Sequence, residues 1–141
     1  IKHLPWSESI NSDDAVINSL ERFEGKQVVV TEKMDGENTT IGKKYVHARS
    51  RNSKYHPSRT YIINWAMQWN YELIEEERFC GENLFAEHSI HYSSLPHYFL
   101  GFSWFIKDKC CSWKETCREF CYIKVAKKTP YACIGDELAK Q

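Results

Sequence analysis

Five short runs rich in apolar, β-branched and aromatic residues most strongly limit what this chain can fold into. The runs cover residues 27–30, 39–41, 45–48, 78–85 and 98–105. Their length, their composition and the glycine or polar residues that bound them are typical of β-strands. Gly42-Lys43-Lys44 separates the second run from the third and predicts a turn after which the chain returns as a neighbouring strand.

Three other segments carry the signals of helices. Residues 15–23 follow side chains that can cap a helix, and residues 60–73 have apolar side chains at helical spacing. The side chains at helical spacing in the second segment are Ile63, Met67 and Tyr71. Ser112 and Glu115 form a capping box that opens a helix to about Val125. Strands mixed with helices in this way predict an α+β fold.

Length and charge set broad limits on the function. The 141 residues suffice for one domain with a core, and the 19 basic and 19 acidic side chains balance. Net charge therefore neither favours nor excludes nucleic acid as a partner. There is no apolar run long enough to span a bilayer, and the start of the sequence shows no signal-peptide pattern. We expect an intracellular protein, cytoplasmic or nuclear, that does not bind membranes.

The cysteines and histidines do not match a standard zinc site. There is no Cys-x-x-Cys pair, and the adjacent Cys110 and Cys111 have poor geometry for binding one metal ion. Reduced structural thiols are expected where no secretory signal is present. Glu87, His88 and His91 fit no zinc spacing, so surface or hydrogen-bonded histidines are the simpler interpretation.

Lys33 follows the first predicted strand and is the strongest candidate for covalent chemistry. A buried strand is expected at residues 27–30, and Gly36 suits a bend just after the lysine. A lysine amine is a nucleophile only when it is neutral and held against an electrophile. Glu32 and Asp35 place a carboxylate on either side of Lys33. The alternative interpretation is a strand-to-turn junction at which Lys33 and Asp35 are merely solvated.

A basic block follows Lys33 directly. Residues 38–71 contain no Asp or Glu, and aromatic residues lie between their six lysine and arginine side chains. The six are Lys43, Lys44, Arg49, Arg51, Lys54 and Arg59. Arginine can bond two phosphate oxygens at once. A segment with basic but no acidic residues, next to a candidate nucleophile, therefore favours phosphate binding. A solvated basic face is the alternative.

Several stretches in order resemble one enzyme superfamily. Lys33-Met34-Asp35-Gly36-Glu37-Asn38 resembles the first motif of the covalent nucleotidyltransferases, which include ATP-dependent ligases and mRNA capping enzymes. Five further stretches, at similar spacings, resemble the RNA ligase branch: residues 3–6, 47–50, 56–59, 80–84 and 98–102. The resemblance covers nearly the whole chain. It implies an adenylation domain with antiparallel sheets around a nucleotide cleft, helices outside, and the basic block along the cleft mouth.

The resemblance implies roles for the residues of the first motif. Lys33 would attack the α-phosphate of ATP, expel pyrophosphate and become a lysyl-adenylate. Glu32 and the neighbouring backbone would help to read the adenine. Asp35, followed by Gly36, would lie against the reacting lysine or the incoming RNA end, and Asn38 would support the same region.

The resemblance extends to later residues and to the partners. Arg49 would contact a nucleotide or substrate phosphate, Glu82 would hold the ribose hydroxyls or a metal ion, and Phe102 would stack on the adenine. Mg²⁺ or Mn²⁺ would stabilise the charge on the phosphates. The partner would be RNA with 5′-phosphate and 3′-hydroxyl ends. The remaining basic side chains would bind its phosphates: Lys43, Lys44, Arg51, Lys54 and Arg59.

Two later motifs of the superfamily have no convincing match. These are a glutamate in an E-G-x-V strand and a K-x-K pair, which bind metal and triphosphate. We therefore expect residues 1–141 to be a single adenylation domain that is incomplete at its C-terminus. An ATP-dependent RNA ligase is the first interpretation. A non-catalytic nucleotide- or RNA-binding remnant is the alternative, and a DNA ligase or capping enzyme is a weaker one.

Overall fold

The computed structural model describes residues 3, 12, 15–49, 55–127 and 132–133, and for residues 121–127 and 132–133 only the backbone is considered. The chain divides into two compact units, residues 1–30 and residues 31–141.

In the first unit the backbone forms a bridge instead of the predicted helix. The amide of His3 donates to the carbonyl of Ala15 at 2.7 Å, and the amide of Ile17 donates to the carbonyl of His3 at 2.8 Å. The first bond engages the Ala15 carbonyl, which a helix over residues 15–23 would use as the acceptor of its own first turn. The only helical residues of that segment are the single 3-10 turn Glu21–Phe23. The helix prediction was wrong.

The predicted strand at residues 27–30 was also wrong. These residues are irregular, and Val28, Val29 and Val30 are 56%, 54% and 79% exposed. A β-branched run becomes a strand only where a neighbouring strand supplies hydrogen-bond partners. Within the described part of the chain no strand pairs with this run. Lys33 therefore follows an exposed irregular segment.

The second unit is built on one antiparallel sheet. Its strands are β1 (Glu37–Gly42), β2 (Tyr45–Ala48), β3 (Glu77–Asn83), β4 (Phe99–Ile106) and β5 (Lys109–Cys110). Their order across the sheet is β2-β1-β3-β4-β5, and the two-residue β6 (Ala132–Cys133) pairs parallel with β4. The last four runs of the sequence are thus confirmed as strands, as is the turn at Lys43 and Lys44. The second sheet implied by the resemblance stays a prediction.

Two helices accompany the sheet, α1 (Arg59–Ala66) and α2 (Trp113–Lys127). The capping box of α2 is confirmed, since Ser112 N donates to a Glu115 carboxylate oxygen at 2.8 Å and Glu115 N donates to Ser112 Oγ at 3.3 Å. Residues 121–127 belong to α2, which continues slightly past the predicted end. Among the described residues no helix is long and apolar enough to cross a membrane.

The predicted helix over residues 60–73 is shorter than expected and buries a different face. It ends near Met67, and a separate 3-10 turn, Asn70–Glu72, follows. Met67 and Tyr71 are 64% and 61% exposed. The buried side chains of the segment are Ile62, Trp65, Ala66, Trp69, Asn70 and Leu73. The apolar members of this set still follow helical spacing, so the predicted period holds and the predicted apolar face was the wrong one.

The core lies on one face of the sheet. Ile41, Phe79 and Phe99 of the strands pack with Trp65 of α1 and Phe120 of α2. Gly101 allows this approach, because a Cβ atom there would collide with the ring of Phe120. Since successive strand residues point to opposite faces, a second set of side chains lies on the other face, here named the polar face. Its members include Asn38, Thr40, His47, Cys80 and Glu82.

Candidate active site

The Lys33 segment is anchored to the sheet through the residue that follows the lysine. Met34 is 9% exposed and packs with Leu84 and Leu100 in a small apolar cluster. The neighbours of this buried residue are less covered: Lys33 is exposed and Asp35 is half-buried. Burial of Met34 therefore fixes the segment while leaving the lysine amine accessible.

Gly36 allows this segment to approach the end of β3 closely. Asn38 pairs with Glu82 and Glu37 with Asn83, so Gly36 lies just before the first ladder pair of β1 and β3. A Cβ atom at Gly36 would lie 2.5 Å from the carbonyl oxygen of Asn83, a distance that real Cβ contacts do not show. Only glycine fits this contact without a shift of the backbone.

Glu82 brings a partly buried carboxylate to the same place. Burial raises the pKa of Glu82, and the hydrogen bond from the Gly36 N–H works against this increase. The charges of Lys33 and His88 also lower the pKa of Glu82, whereas the charge of Asp35 raises it. Lys33, Asp35, Gly36 and Glu82 thus interact at one end of the polar face.

Asp35 is held by residues that sequence reasoning did not select. Ser89 donates to its carboxylate through Oγ at 2.6 Å and through the backbone amide at 2.9 Å. Both bonds lower the pKa of Asp35 below its ordinary value, and the bond from the Ser89 side chain has the larger effect. The hydroxyl of Tyr92 accepts a bond from the Asp35 amide at 2.8 Å. Ser89 and Tyr92 are 54 and 57 residues away in sequence, so no local pattern identifies them.

The remaining predicted nucleotide-binding residues are less tightly grouped. Thr39 pairs with Ala48, so the exposed Arg49 follows β2 at the end of the sheet where Asn38 lies. Glu32 is exposed next to Lys33. Their roles stay predictions.

Phe102 occupies a β-bulge. Gly81 pairs with Gly101 and Cys80 with Ser103, so Phe102 is an extra residue of β4 without a partner in β3. A bulge leaves one residue out of the ladder and turns its side chain away from the regular direction. Phe102 is half-buried and lies two residues beyond Leu100, which pairs with Glu82.

The basic block is divided between the two ends of the sheet. Lys43 and Lys44 lie in the turn at the far end of β1, and Lys44 pairs with Glu75 at 2.6 Å. Five residue steps separate Glu37 from Gly42, which is roughly 17 Å along a strand. Lys43 and Lys44 are thus remote from the Lys33 end of the sheet. Arg51 and Lys54 lie outside the described residues.

Arg59, at the start of α1, lies at the same end of the sheet as Lys33. Its Nε donates to both carboxylate oxygens of Glu37, at 2.8 and 3.0 Å, and the two charged side chains are 17% and 23% exposed. This bond raises the pKa of Arg59. Because Glu37 directly follows Gly36, the pair ties α1 to the first residue of β1.

A cavity of about 440 Å³ lies beside this pair. Its lining includes Glu37, Arg59, Asn83, His56 and His88. Lys33, Glu82 and Phe102 do not line it. The cavity therefore lies at the Glu37 end of β1 and does not enclose the candidate nucleophile.

The donor chemistry of the site suits a hard cation bound together with phosphate. In the described residues no group of three or more His, Cys, Asp and Glu side chains is arranged to hold a metal ion. Mg²⁺ needs no such group, since it often keeps several waters and binds one or two carboxylates plus substrate phosphates. Glu82 and Asp35 are carboxylates of that kind, and Glu82 as a metal ligand stays a prediction.

Comparison with known proteins identifies the family. A model of the RNA ligase family matches residues 26–139, which include Lys33, Glu82 and Phe102. No curated protein and no solved structure gave a match. The chain belongs to the RNA ligase family.

Proposed function

We propose that this chain joins RNA at the expense of ATP, with Lys33 as the covalent nucleophile. The observation that carries the proposal is the grouping of Lys33, Asp35 and Gly36 around Glu82 in a member of the RNA ligase family. Gly36 lies against the Glu82 side chain, and the charges of Lys33 and Asp35 act on the Glu82 carboxyl. A lysine beside a fixed carboxylate, exposed to solvent on one side, is accessible to a nucleotide phosphate.

In the first step the Nζ atom of Lys33 bonds the α-phosphorus of ATP. The bond from that phosphorus to the bridging oxygen breaks, pyrophosphate leaves with the electron pair, and the amine loses a proton to solvent. The residues that frame Lys33 act by positioning and charge, which is how proteins accelerate phosphoryl transfer. The Gly36 N–H works against the pKa increase that burial causes at Glu82, and Met34 holds the backbone next to the nucleophile.

In the later steps AMP activates an RNA end. An oxygen of the RNA 5′-phosphate bonds the adenylate phosphorus and the Lys33 N–P bond breaks, which restores the amine. A 3′-hydroxyl then bonds the 5′-phosphorus, loses its proton, and AMP leaves. Arg49, close to the strand end that carries Asn38, is available to a phosphate in these steps.

The adenine would stack on Phe102. The bulge removes this residue from the regular ladder, and stacking of a base on an aromatic ring contributes about 1–3 kcal/mol. The carboxylates of Glu82 and Asp35 would hold Mg²⁺ together with the ATP phosphates, and the ion would supply positive charge against their negative charge.

The test is an adenylation assay followed by an RNA chase. The chain is incubated with Mg²⁺ and α-labelled ATP, separated from free nucleotide and mixed with 5′-phosphorylated RNA. We expect label on the protein, then on RNA, and a joined product. Lys33→Ala should lose all three signals, whereas Lys109→Ala, which changes an exposed lysine of the edge strand β5, should keep them.

Parallel arms separate the alternatives. Labelling by GTP instead of ATP would indicate a capping enzyme, and transfer to DNA but not RNA would indicate a DNA ligase. A non-catalytic binding protein has support in the exposure of Lys33 and its absence from the neighbouring cavity. That function predicts ATP or RNA binding that weakens in Lys33→Ala, with no label on the intact chain.

A further inference from the structure

The connection between β3 and β4 contacts the nucleophile segment. Ser89 bonds the carboxylate of Asp35 with both its Oγ and its amide, at 2.6 and 2.9 Å. The Tyr92 hydroxyl accepts a hydrogen bond from the Asp35 amide at 2.8 Å. Tyr92 also packs against the apolar cluster of Met34, Leu84 and Leu100. One short stretch of this connection thus holds both the side chain and the backbone of Asp35.

These contacts complete a set that fixes each residue after Lys33. The Met34 side chain is buried, Asp35 is bound by Ser89 and Tyr92, and Gly36 lies closely against the end of β3. Residues 26–35 have no regular secondary structure. The position of the Lys33 backbone therefore depends on these side-chain anchors, because no strand ladder constrains the residues before it.

Anchoring of this kind matters most for a nucleophile. A displacement of about 1 Å at a reacting group lowers a rate by roughly 10²-fold, and sites on loops need supporting residues to reach that accuracy. A structural turn would also benefit from the Ser89 bonds, but it would not require that Ser89 and Tyr92 converge on the residue two positions after the candidate nucleophile.

We propose that Ser89 and Tyr92 are positioning residues for Lys33, acting through Asp35. This inference rests on the proposed function, since it assigns the two residues to lysyl-adenylate formation. They hold Asp35 and with it the backbone that carries the lysine, and they do not themselves contact the reacting phosphate.

The test measures single-turnover lysyl-AMP formation over a range of ATP concentrations. Ser89→Ala removes the Oγ donor, and Tyr92→Phe removes the acceptor of the Asp35 amide while keeping the ring. Each variant should lower the maximal rate roughly 10- to 100-fold and leave the half-saturating ATP concentration unchanged. Ser89→Thr keeps a hydroxyl and should restore most of the rate.

A double-mutant cycle identifies the route through Asp35. Asp35→Asn weakens the same bond, so adding Ser89→Ala to it should lower the rate far less than Ser89→Ala does alone. Ser94→Ala changes an exposed serine of the same connection and should have no effect. Equal rate losses in the two backgrounds would show that Ser89 acts independently of Asp35 and would overturn the inference.

Hydrogen exchange provides a readout that does not need activity. Amides 34–36 should exchange faster in Ser89→Ala and Tyr92→Phe than in the parent chain. A parent chain that forms no lysyl-AMP would refute the proposed function, and unchanged exchange in the variants would refute the positioning role. If the parent chain is adenylated and both variants form lysyl-AMP as fast as the parent does, the inference is refuted and the proposed function is not.

Discussion

Replacing Gly36 with alanine is expected to damage both the fold and the site. The new Cβ would lie 2.5 Å from the Asn83 carbonyl oxygen, 2.7 Å from Leu84 Cδ2 and 3.1 Å from Glu82 Cγ. The first contact is to backbone, so the Lys33 segment must move away from β3. The movement also separates residue 36 from the Glu82 side chain.

The size of the effect follows from these contacts. Overpacking of a close contact costs about 1–3 kcal/mol. In a chain of about 150 residues, each kcal/mol lowers Tm by about 2–4 °C, so a fall of roughly 2–12 °C is expected in a thermal unfolding scan. A shift of the lysine by about 1 Å would lower the rate of lysyl-AMP formation roughly 10²-fold. Both quantities are measured on the same purified variant.

Gly42→Ala is the matched control. It lies at the other end of β1, and the nearest atoms to its added Cβ belong to the side chain of Tyr45, which is 38% exposed and can move. We expect little change in lysyl-AMP formation. If Gly36→Ala retained full activity and stability, the close approach of the Lys33 segment to β3 would not be the constraint described above.

Three further predictions concern the surroundings of the site. Glu37→Gln should lower stability by about 1–3 kcal/mol in urea unfolding, because Arg59 loses a partly buried charged partner. Burial lowers the pKa of His97, so the unfolded chain binds the proton more readily and stability should fall as pH drops below about 6.5. Glu82→Gln should lower lysyl-AMP formation at least roughly 10-fold, because it removes a carboxylate charge beside Lys33. It should not lower Tm, because burial disfavours the charged form of Glu82 and raises its pKa.

Each of these has its own control. Lys44→Met removes an exposed pair and should change stability by less than about 1 kcal/mol; an effect as large as that of Glu37→Gln would contradict the burial argument. His97→Gln should make the free energy of unfolding depend less on pH between pH 5.5 and 7.5. If the dependence stayed the same, groups other than His97 would cause it. A lower Tm for Glu82→Gln would show that the interactions of the Glu82 carboxylate stabilise the fold more than burial of its charge destabilises it.

The sheet was predictable because its strands are marked locally. β-Branched and aromatic runs bounded by turns indicated β1 to β4, and a capping box indicated α2. The same reasoning failed at residues 27–30 and 15–23, where non-local partners decide the outcome. Among the described residues no strand pairs with the valine run, and the bridge to His3 engages a backbone carbonyl that a helix would use.

The candidate site was predictable only in its motif residues. The approach of Gly36 to Glu82 follows from the resemblance of two separated motifs, but the Ser89–Asp35 bonds join residues with no shared local pattern. The bulge at Phe102 depends on the register between β3 and β4, which side-chain alternation alone does not specify.

Locating the AMP adduct tests the central claim most directly. The chain is incubated with ATP and Mg²⁺, its intact mass is measured, and its peptides are sequenced by tandem mass spectrometry. The account predicts a mass gain of one AMP, carried by the peptide that contains Lys33 and absent from Lys33→Ala. No adduct, or an adduct on another residue that persists in Lys33→Ala, would contradict it.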